Sequence, residues 1–235
     1  MSLFDTVREY SQDVFRNIRG IKVSQDLFDD LSDDPVNWDA ANTLESYTHP
    51  ELTHQSLIQR AFDYSKNDFI DYPFEKITSS RYSDGAIACW YGSETLKTTI
   101  YETNYHFIQE IKDSWEIFQK QDTVIIDRRV AKVYCQGLGL DLTGKKDEFP
   151  WLVDPDNYNQ CQQTGRRVAD EGHPLLIVPS ARHQQGINLV VFNPNLLSNP
   201  REYCRLQYVF DVKKRTVQCI RGEEEIILEQ SEVEI

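Results

Sequence analysis

From Ile77 onward the chain is a succession of short apolar runs, rich in β-branched and aromatic residues and punctuated by Gly, Pro, Asn and Asp. No other feature restricts the fold as much. "AIACWYG", "DTVIID", "VAKVYC", "PLLIVPS", "INLVVFNP", "CRLQYVFDV" and "RTVQCI" each have the length and composition of a strand, and the last two read as a hairpin around "KKR". Two helical patterns interrupt the run. Ser93 stands as the expected N-cap of a helix through "ETLKTTIYETNYHFIQEIKDSW", and "DPDNYNQCQQTGRRVADEG" reads as a turn and helix closed by Gly172. A doubly wound sheet needs strands and helices in regular alternation, which this order lacks. The expected class is α+β with a strand-rich core.

Residues 1–70 have a different texture. Leu3, Phe4, Val7, Tyr10, Val14, Phe15 and Ile18 recur at three- and four-residue steps before Gly20, which predicts a helix. A polar, acidic connector, "DDLSDDPVNWDAAN", follows. Pro50 then opens "PELTHQSLIQRAFDYSK", again with apolar residues at helical spacing. The expected organisation is a helical N-terminal extension over residues 1–70 and a strand-rich domain over residues 71–235. The acidic tail "GEEEIILEQSEVEI" is expected to be partly ordered.

Charge and cysteine usage exclude several functions. The chain carries 25 basic and 38 acidic residues, a net charge of −13. A surface of that sign repels polyanions, so direct contact with nucleic acid is not expected. A small anionic ligand is still admissible where local arginines outweigh the global field. The five cysteines, Cys89, Cys135, Cys161, Cys204 and Cys219, are odd in number and form no C-x-x-C pair, which argues against a disulfide framework and a zinc cluster. His49, His54, His106, His173 and His183 show no ligand spacing, so no metal site is expected. "MSLFDTVREY" has no apolar leader core and no span is long enough to cross a membrane, so a soluble, cytoplasmic protein is expected. "GLGLDLTGKK" approaches a phosphate-binding loop. Lys146 stands where a metal-binding Ser or Thr is required, however, and Pro150 interrupts the helix that should follow, so it reads as a basic turn.

The segment "SRYSDGAIACWYGSETLKTTIYETNYHF" contains the residues of chemical interest: Arg81, Tyr91 and Glu102. On the expected helix, Leu96, Ile100, Phe107 and Ile111 form one apolar stripe. Glu102 lies off it, with His106 one turn later. The plainest reading of that pair is a solvated surface couple of little energetic weight. The neighbours of Glu102 suggest more. Tyr91 ends the strand just before the helix, and Arg81 precedes the turn "YSDG", so all three can reach one cleft. An arginine fork binds phosphate bidentately, and a tyrosine ring stacks on a planar heterocycle. A carboxylate binds a ribose hydroxyl and stabilises an oxocarbenium-like centre. Together they suit cleavage of a nucleotide's N-glycosidic bond.

"RYSDGAIACWYGSETLKTTIYE" and the later "LLIVPSARHQQGINLVVFNP" resemble the RES domain, the toxin half of RES–Xre toxin–antitoxin pairs. The resemblance runs from Ser80 to Asn195. It departs from the usual pattern at "SSRYSDG", where serines replace glycines. It implies an ADP-ribosyltransferase-like fold that takes NAD as substrate, needs no cofactor, and has an Xre-type helix-turn-helix antitoxin as partner. By the same resemblance Arg81 holds the phosphates, Tyr91 stacks on nicotinamide, and Glu102 binds the ribose and steadies positive charge at C1. Ser180 orients that ribose, and Asn188 is a second candidate of the same kind. Taken alone, Ser180 in "VPSAR" reads as turn chemistry, and no Gly-x-Ser-x-Gly elbow makes it a hydrolase nucleophile. The acceptor is left open among phosphate, water and a protein side chain. A protein-modifying ADP-ribosyltransferase and a non-catalytic interaction protein are the alternatives.

Overall fold

A computed structural model describes residues 3–20, 67–226 and 228. The helix expected over residues 50–66 and the acidic connector lie outside the described residues. Strand β1 (Val7–Arg19) comes first, then a 3-10 turn (Asn67–Phe69), the short helix α1 (Tyr72–Glu75), the two-residue strands β2 (Ser79–Ser80) and β3 (Ser83–Asp84), and β4 (Trp90–Ser93). The long helix α2 (Leu96–Asp113) and a single turn α3 (Trp115–Phe118) lead into β5 (Thr123–Asp141). Next come 3-10 turns at Thr143–Lys145 and Pro150–Val153, helix α4 (Asn159–Asp170), and strands β6 (Leu175–Pro179) and β7 (Ile187–Val191). Strands β8 (Leu197–Asp211), β9 (Thr216–Arg221) and β10 (Glu224–Ile226) follow.

Eight of these strands form one sheet in the order β1-β4-β7-β6-β5-β8-β9-β10, and β1 also pairs with β5. The path β1–β4–β7–β6–β5 therefore returns to β1, while β8, β9 and β10 continue outward from β5. All pairings are antiparallel except β5 with β6. This is a mixed α+β fold dominated by a large sheet with few helices, the class expected from the texture after Ile77.

Three elements differ from expectation. Residues 7–19 are strand, not helix: β1 pairs with β5 along its whole length, from Val7 opposite Leu140 to Arg19 opposite Arg128. The spacing that suggests a helix is ambiguous. Tyr10, Val14 and Ile18 are four residues apart, and a step of four returns to the same face in a helix and in a strand alike. Tyr10 and Val14 are buried in an apolar cluster with Trp90, Val133 and Leu189, and Ile18 packs against it. "DTVIID" and "VAKVYC" are one continuous strand, β5, because β8 and β1 pair along its two sides across the polar Arg128–Arg129 step. The pairing with β8 slips at Val130/Ala131 and again between Lys132 and Tyr134. Helix α2 is capped by Thr95 in place of Ser93, with its hydroxyl accepting the Thr98 amide at 3.1 Å.

Helix α2 lies against the sheet through its predicted stripe. Ile100, Phe107 and Ile111 are buried with Val124, Ile126, Tyr208 and Phe210. Each such side chain contributes roughly 1.5–3 kcal/mol on burial, which fixes the helix's rotation and so the direction of Glu102. Helix α4 packs through Cys161 and Val168 against Tyr82, Leu140 and Leu176. All five cysteines are free. Lys145, in the basic turn, is buried and pairs with Asp5 at 2.6 Å. No helix of the described residues is long and apolar enough to cross a membrane.

Candidate active site

Where α2 crosses the sheet, Glu102 meets residues from two distant strands. Glu102 Oε1 accepts a hydrogen bond from Ser180 Oγ at 2.5 Å and one from Asn188 Nδ2 at 2.7 Å. Asn188 lies on β7, opposite Ser93 of β4 and Val178 of β6. The Ser93 hydroxyl donates to Asn188 Oδ1 at 2.7 Å, which sets the amide so that its NH2 faces Glu102. Ser180 follows β6 directly. Its Oγ accepts the backbone amides of Arg182 (3.1 Å) and His183 (2.9 Å), and its single proton goes to Glu102. The carboxylate is thus held by a turn on one side and a sheet strand on the other. Gly186 allows this approach, because a Cβ there would meet Thr98 Cγ2 at 2.6 Å and Ser180 Cβ at 2.9 Å.

Arg81 is presented by the tight hairpin between β2 and β3, with Ser80 opposite Ser83. Its guanidinium donates to Asp154 O at 2.7 Å and lies 4.3 Å from the centre of the Tyr158 ring. Tyr91, on β4, is half-buried. Its hydroxyl bonds the Ser80 hydroxyl at 2.8 Å and accepts the Tyr82 amide at 2.9 Å. Those are the two neighbours of Arg81, so Tyr91 pins the hairpin that carries the arginine. Burial pushes its phenol well above the ordinary tyrosine value, and it stays protonated.

Arg81, Tyr91, Glu102 and Asn188 line one cavity of about 410 Å3. Ser180 does not line it. It is buried beside Glu102 and borders a neighbouring hollow of about 560 Å3, and Arg182 lines both. The Arg182 guanidinium lies 3.3 Å from the Tyr105 ring centre and donates to Pro155 O and the Tyr158 hydroxyl.

Sequence reasoning missed two further arginines in the cavity. Arg16 comes from β1, where its Nη1 donates to Tyr91 O at 2.7 Å while its Nε is buried without a partner. Burial, with Arg128 nearby, lowers its pKa to about 10. Arg128 comes from β5 and is held by Asn17, with Nε donating to Asn17 Oδ1 at 2.9 Å. Nothing local in the sequence marks either one. A lone arginine in an apparent helix and a pair of arginines between two apparent strands carry no motif.

Arg16, Arg81, Arg128 and Arg182 thus surround a cavity whose one lining carboxylate is Glu102. None of the four pairs with a carboxylate of a described residue. Four guanidinium groups lining one cavity, balanced only at longer range by Asp154 and Glu110, favour an anion there despite the chain's net charge of −13. Among the described residues no group of three His, Cys, Asp or Glu side chains is placed to hold a metal ion.

Fold and site together define an α+β protein with a cation-lined cavity and one networked carboxylate. The RES domain family matches residues 56–211 of the 235, two thirds of the chain, and the chain belongs to that family. Strand β1, with Arg16, lies outside the matched stretch. Among solved structures, the M. tuberculosis MbcT–MbcA toxin–antitoxin complex is similar over 86% of this chain and 86% of that one, at 12% identity and a TM-score of 0.44. No curated protein matches the chain.

Proposed function

We propose that the protein binds NAD in this cavity and cleaves its nicotinamide–ribose bond, transferring ADP-ribose to phosphate or water. In the same reading it acts in the cytoplasm as the toxin of a toxin–antitoxin pair, restrained by a helix-turn-helix antitoxin of the Xre type. The observation that carries the catalytic part is Glu102, fixed by Ser180 and Asn188 at the wall of a cavity whose other formally charged side chains are all arginines.

NAD combines a dianionic pyrophosphate with a cationic pyridinium, and the cavity offers a counterpart to each. The arginines suit the pyrophosphate. Glu102 suits the ribose that carries the pyridinium, accepting from a ribose hydroxyl and stabilising positive charge as it develops at C1. When the C1–N bond breaks, its electron pair returns to the ring nitrogen and nicotinamide leaves neutral. The leaving group therefore needs neither a proton nor a Lewis acid. Preorganisation matters here: Ser180 and Asn188 hold Oε1 in place before substrate arrives, so the carboxylate does not reorganise in the transition state. RES family membership supports the reading, and an ADP-ribosyltransferase-like fold is part of the same proposal.

Purified protein incubated with NAD tests it, with nicotinamide and the ADP-ribosyl product separated by chromatography, with and without phosphate and with and without EDTA. Nicotinamide release that persists in EDTA is the expected result. Absence of release under every condition overturns the proposal. Label from NAD appearing on protein bands redirects it to a protein acceptor.

A further inference from the structure

Resting on the NAD-cleaving reading, we propose that His106 is the general base of the site and that the acceptor it serves is water, not phosphate. His106 follows Glu102 by four residues on α2, so it lies one turn further along the same face, with Cβ atoms about 5–6 Å apart. Both side chains line the cavity.

The argument runs by assignment of duties. Of the cavity's lining residues, only Glu102 and His106 have side chains that can take a proton near neutral pH: the remaining charged groups are arginines, and burial makes the Tyr82 and Tyr91 phenols weaker acids still. Glu102 is committed. Its Oε1 is held by Ser180 and Asn188, and taking a proton would remove the negative charge that the oxocarbenium-like centre requires. The base duty falls to His106. Its ring stands edge-on to Tyr105, with centroids 5.6 Å apart, and neither ring nitrogen hydrogen-bonds to a described residue. His183, by contrast, is tied by Nδ1 to the Thr98 hydroxyl at 2.9 Å and stacks on Tyr101.

The surroundings disfavour the protonated form of the His106 imidazole. Although the residue keeps solvent access, desolvation by the cavity walls lowers its pKa below the ordinary histidine value. Glu102 on its own helix pulls upward, while Arg182 beyond β6, Arg128 on β5 and Arg81 in the β2–β3 hairpin push further downward. Glu110, the next turn along α2, is engaged by Arg19 at 3.2 Å.

A phosphate acceptor arrives with an anionic oxygen and needs no base. A water molecule does need one. In the proposed step the water oxygen forms a bond to C1 as the C1–N bond breaks, the electron pair of that bond goes to the pyridinium nitrogen, and one water proton goes to a His106 ring nitrogen. The proton then passes to solvent, so NAD and water give ADP-ribose, neutral nicotinamide and one proton.

His106→Gln tests this, since glutamine keeps size and hydrogen bonding but cannot serve as a base. Wild type is expected to yield ADP-ribose in phosphate-free buffer, with turnover falling as pH drops below the ordinary histidine range. The variant is expected to lose about 10²–10⁴-fold in kcat for hydrolysis, with little change in the KM for NAD. It should also lose the acidic limb of the profile, and azide, an anionic nucleophile that needs no base, should restore cleavage. Hydrolysis by His106→Gln within about threefold of wild type, on the same pH profile, overturns the proposal. So does a wild type that releases nicotinamide only with phosphate, or a variant with wild-type thermal unfolding that azide does not rescue. A wild type that releases no nicotinamide with any acceptor overturns the underlying NAD-cleaving reading instead.

Discussion

Ser180 and Glu102 are 78 residues apart in the chain, yet Ser180 Oγ donates to Glu102 Oε1 at 2.5 Å. The same hydroxyl accepts the amides of Arg182 and His183, so the turn after β6 is closed around the bond that orients the carboxylate. A surface glutamate has no reason to be held this way, and the contrast with Glu110 makes the difference measurable. Glu102→Gln keeps shape and removes charge, and turnover should fall by on the order of two to three decades. Glu110 pairs with Arg19 on an exposed face. Glu110→Gln should leave turnover intact and change stability by about half a kcal/mol or less. Nicotinamide release and thermal unfolding of the two variants decide it. Equal turnover would return Glu102 to the status of an ordinary surface residue.

Tyr91→Phe separates two roles for one side chain. A stacking ring survives the substitution, whereas the bonds to Ser80 and to the Tyr82 amide do not. Each lost bond is worth about 1 kcal/mol, so loosening of the Arg81 hairpin should raise the KM for NAD by roughly 5- to 30-fold. The effect on kcat should be smaller. Unchanged KM would mean that the hydroxyl does not position Arg81.

Arg16→Met should trade binding for stability. The half-buried guanidinium has a buried, unbonded Nε and no carboxylate partner among the described residues, so it costs folding free energy while charged. Its pKa of about 10 in the folded protein lies below the ordinary 12.5. A base depressed on folding destabilises wherever it is protonated, and that cost lifts as pH rises through about 10. Arg16→Met should therefore melt at the same temperature as wild type or higher at neutral pH, with the gain shrinking in alkaline buffer. Its KM for NAD should rise about tenfold or more. A variant that melts well below wild type, or binds NAD normally, would contradict the assignment.

Gly165→Ala should act against the usual sign. Replacing glycine by alanine within a helix ordinarily stabilises by about 0.5–1 kcal/mol. In α4, however, a Cβ at position 165 would overlap Tyr82 O, the residue after Arg81. The hairpin must shift, so about 1–3 kcal/mol of destabilisation and a higher KM for NAD are expected. Denaturant unfolding with the same titration checks both. A stabilised variant would mean that the hairpin yields freely.

Much of this molecule was legible as a sequence because the relevant signals are local. β-Branched runs between turn residues marked β4, β6, β7 and the β8–β9 hairpin, and one apolar stripe marked α2 and its buried face. The order of Arg81, Tyr91, Glu102 and Ser180 pointed to the RES domain without any structure. Tertiary structure alone decided the rest. The helix expected over the first residues is a strand, because a four-residue step satisfies both periods and only the backbone ladder to β5, more than a hundred positions away, breaks the tie. That ladder brings Arg16 into the cavity, and the pairing of β4 with β7 sets Ser93 against Asn188 and Asn188 against Glu102. Hydrogen bonds between strands carry no trace in the spacing of residues along either one, so the chain's own order named most of the candidate residues, and the sheet determined which of them touch.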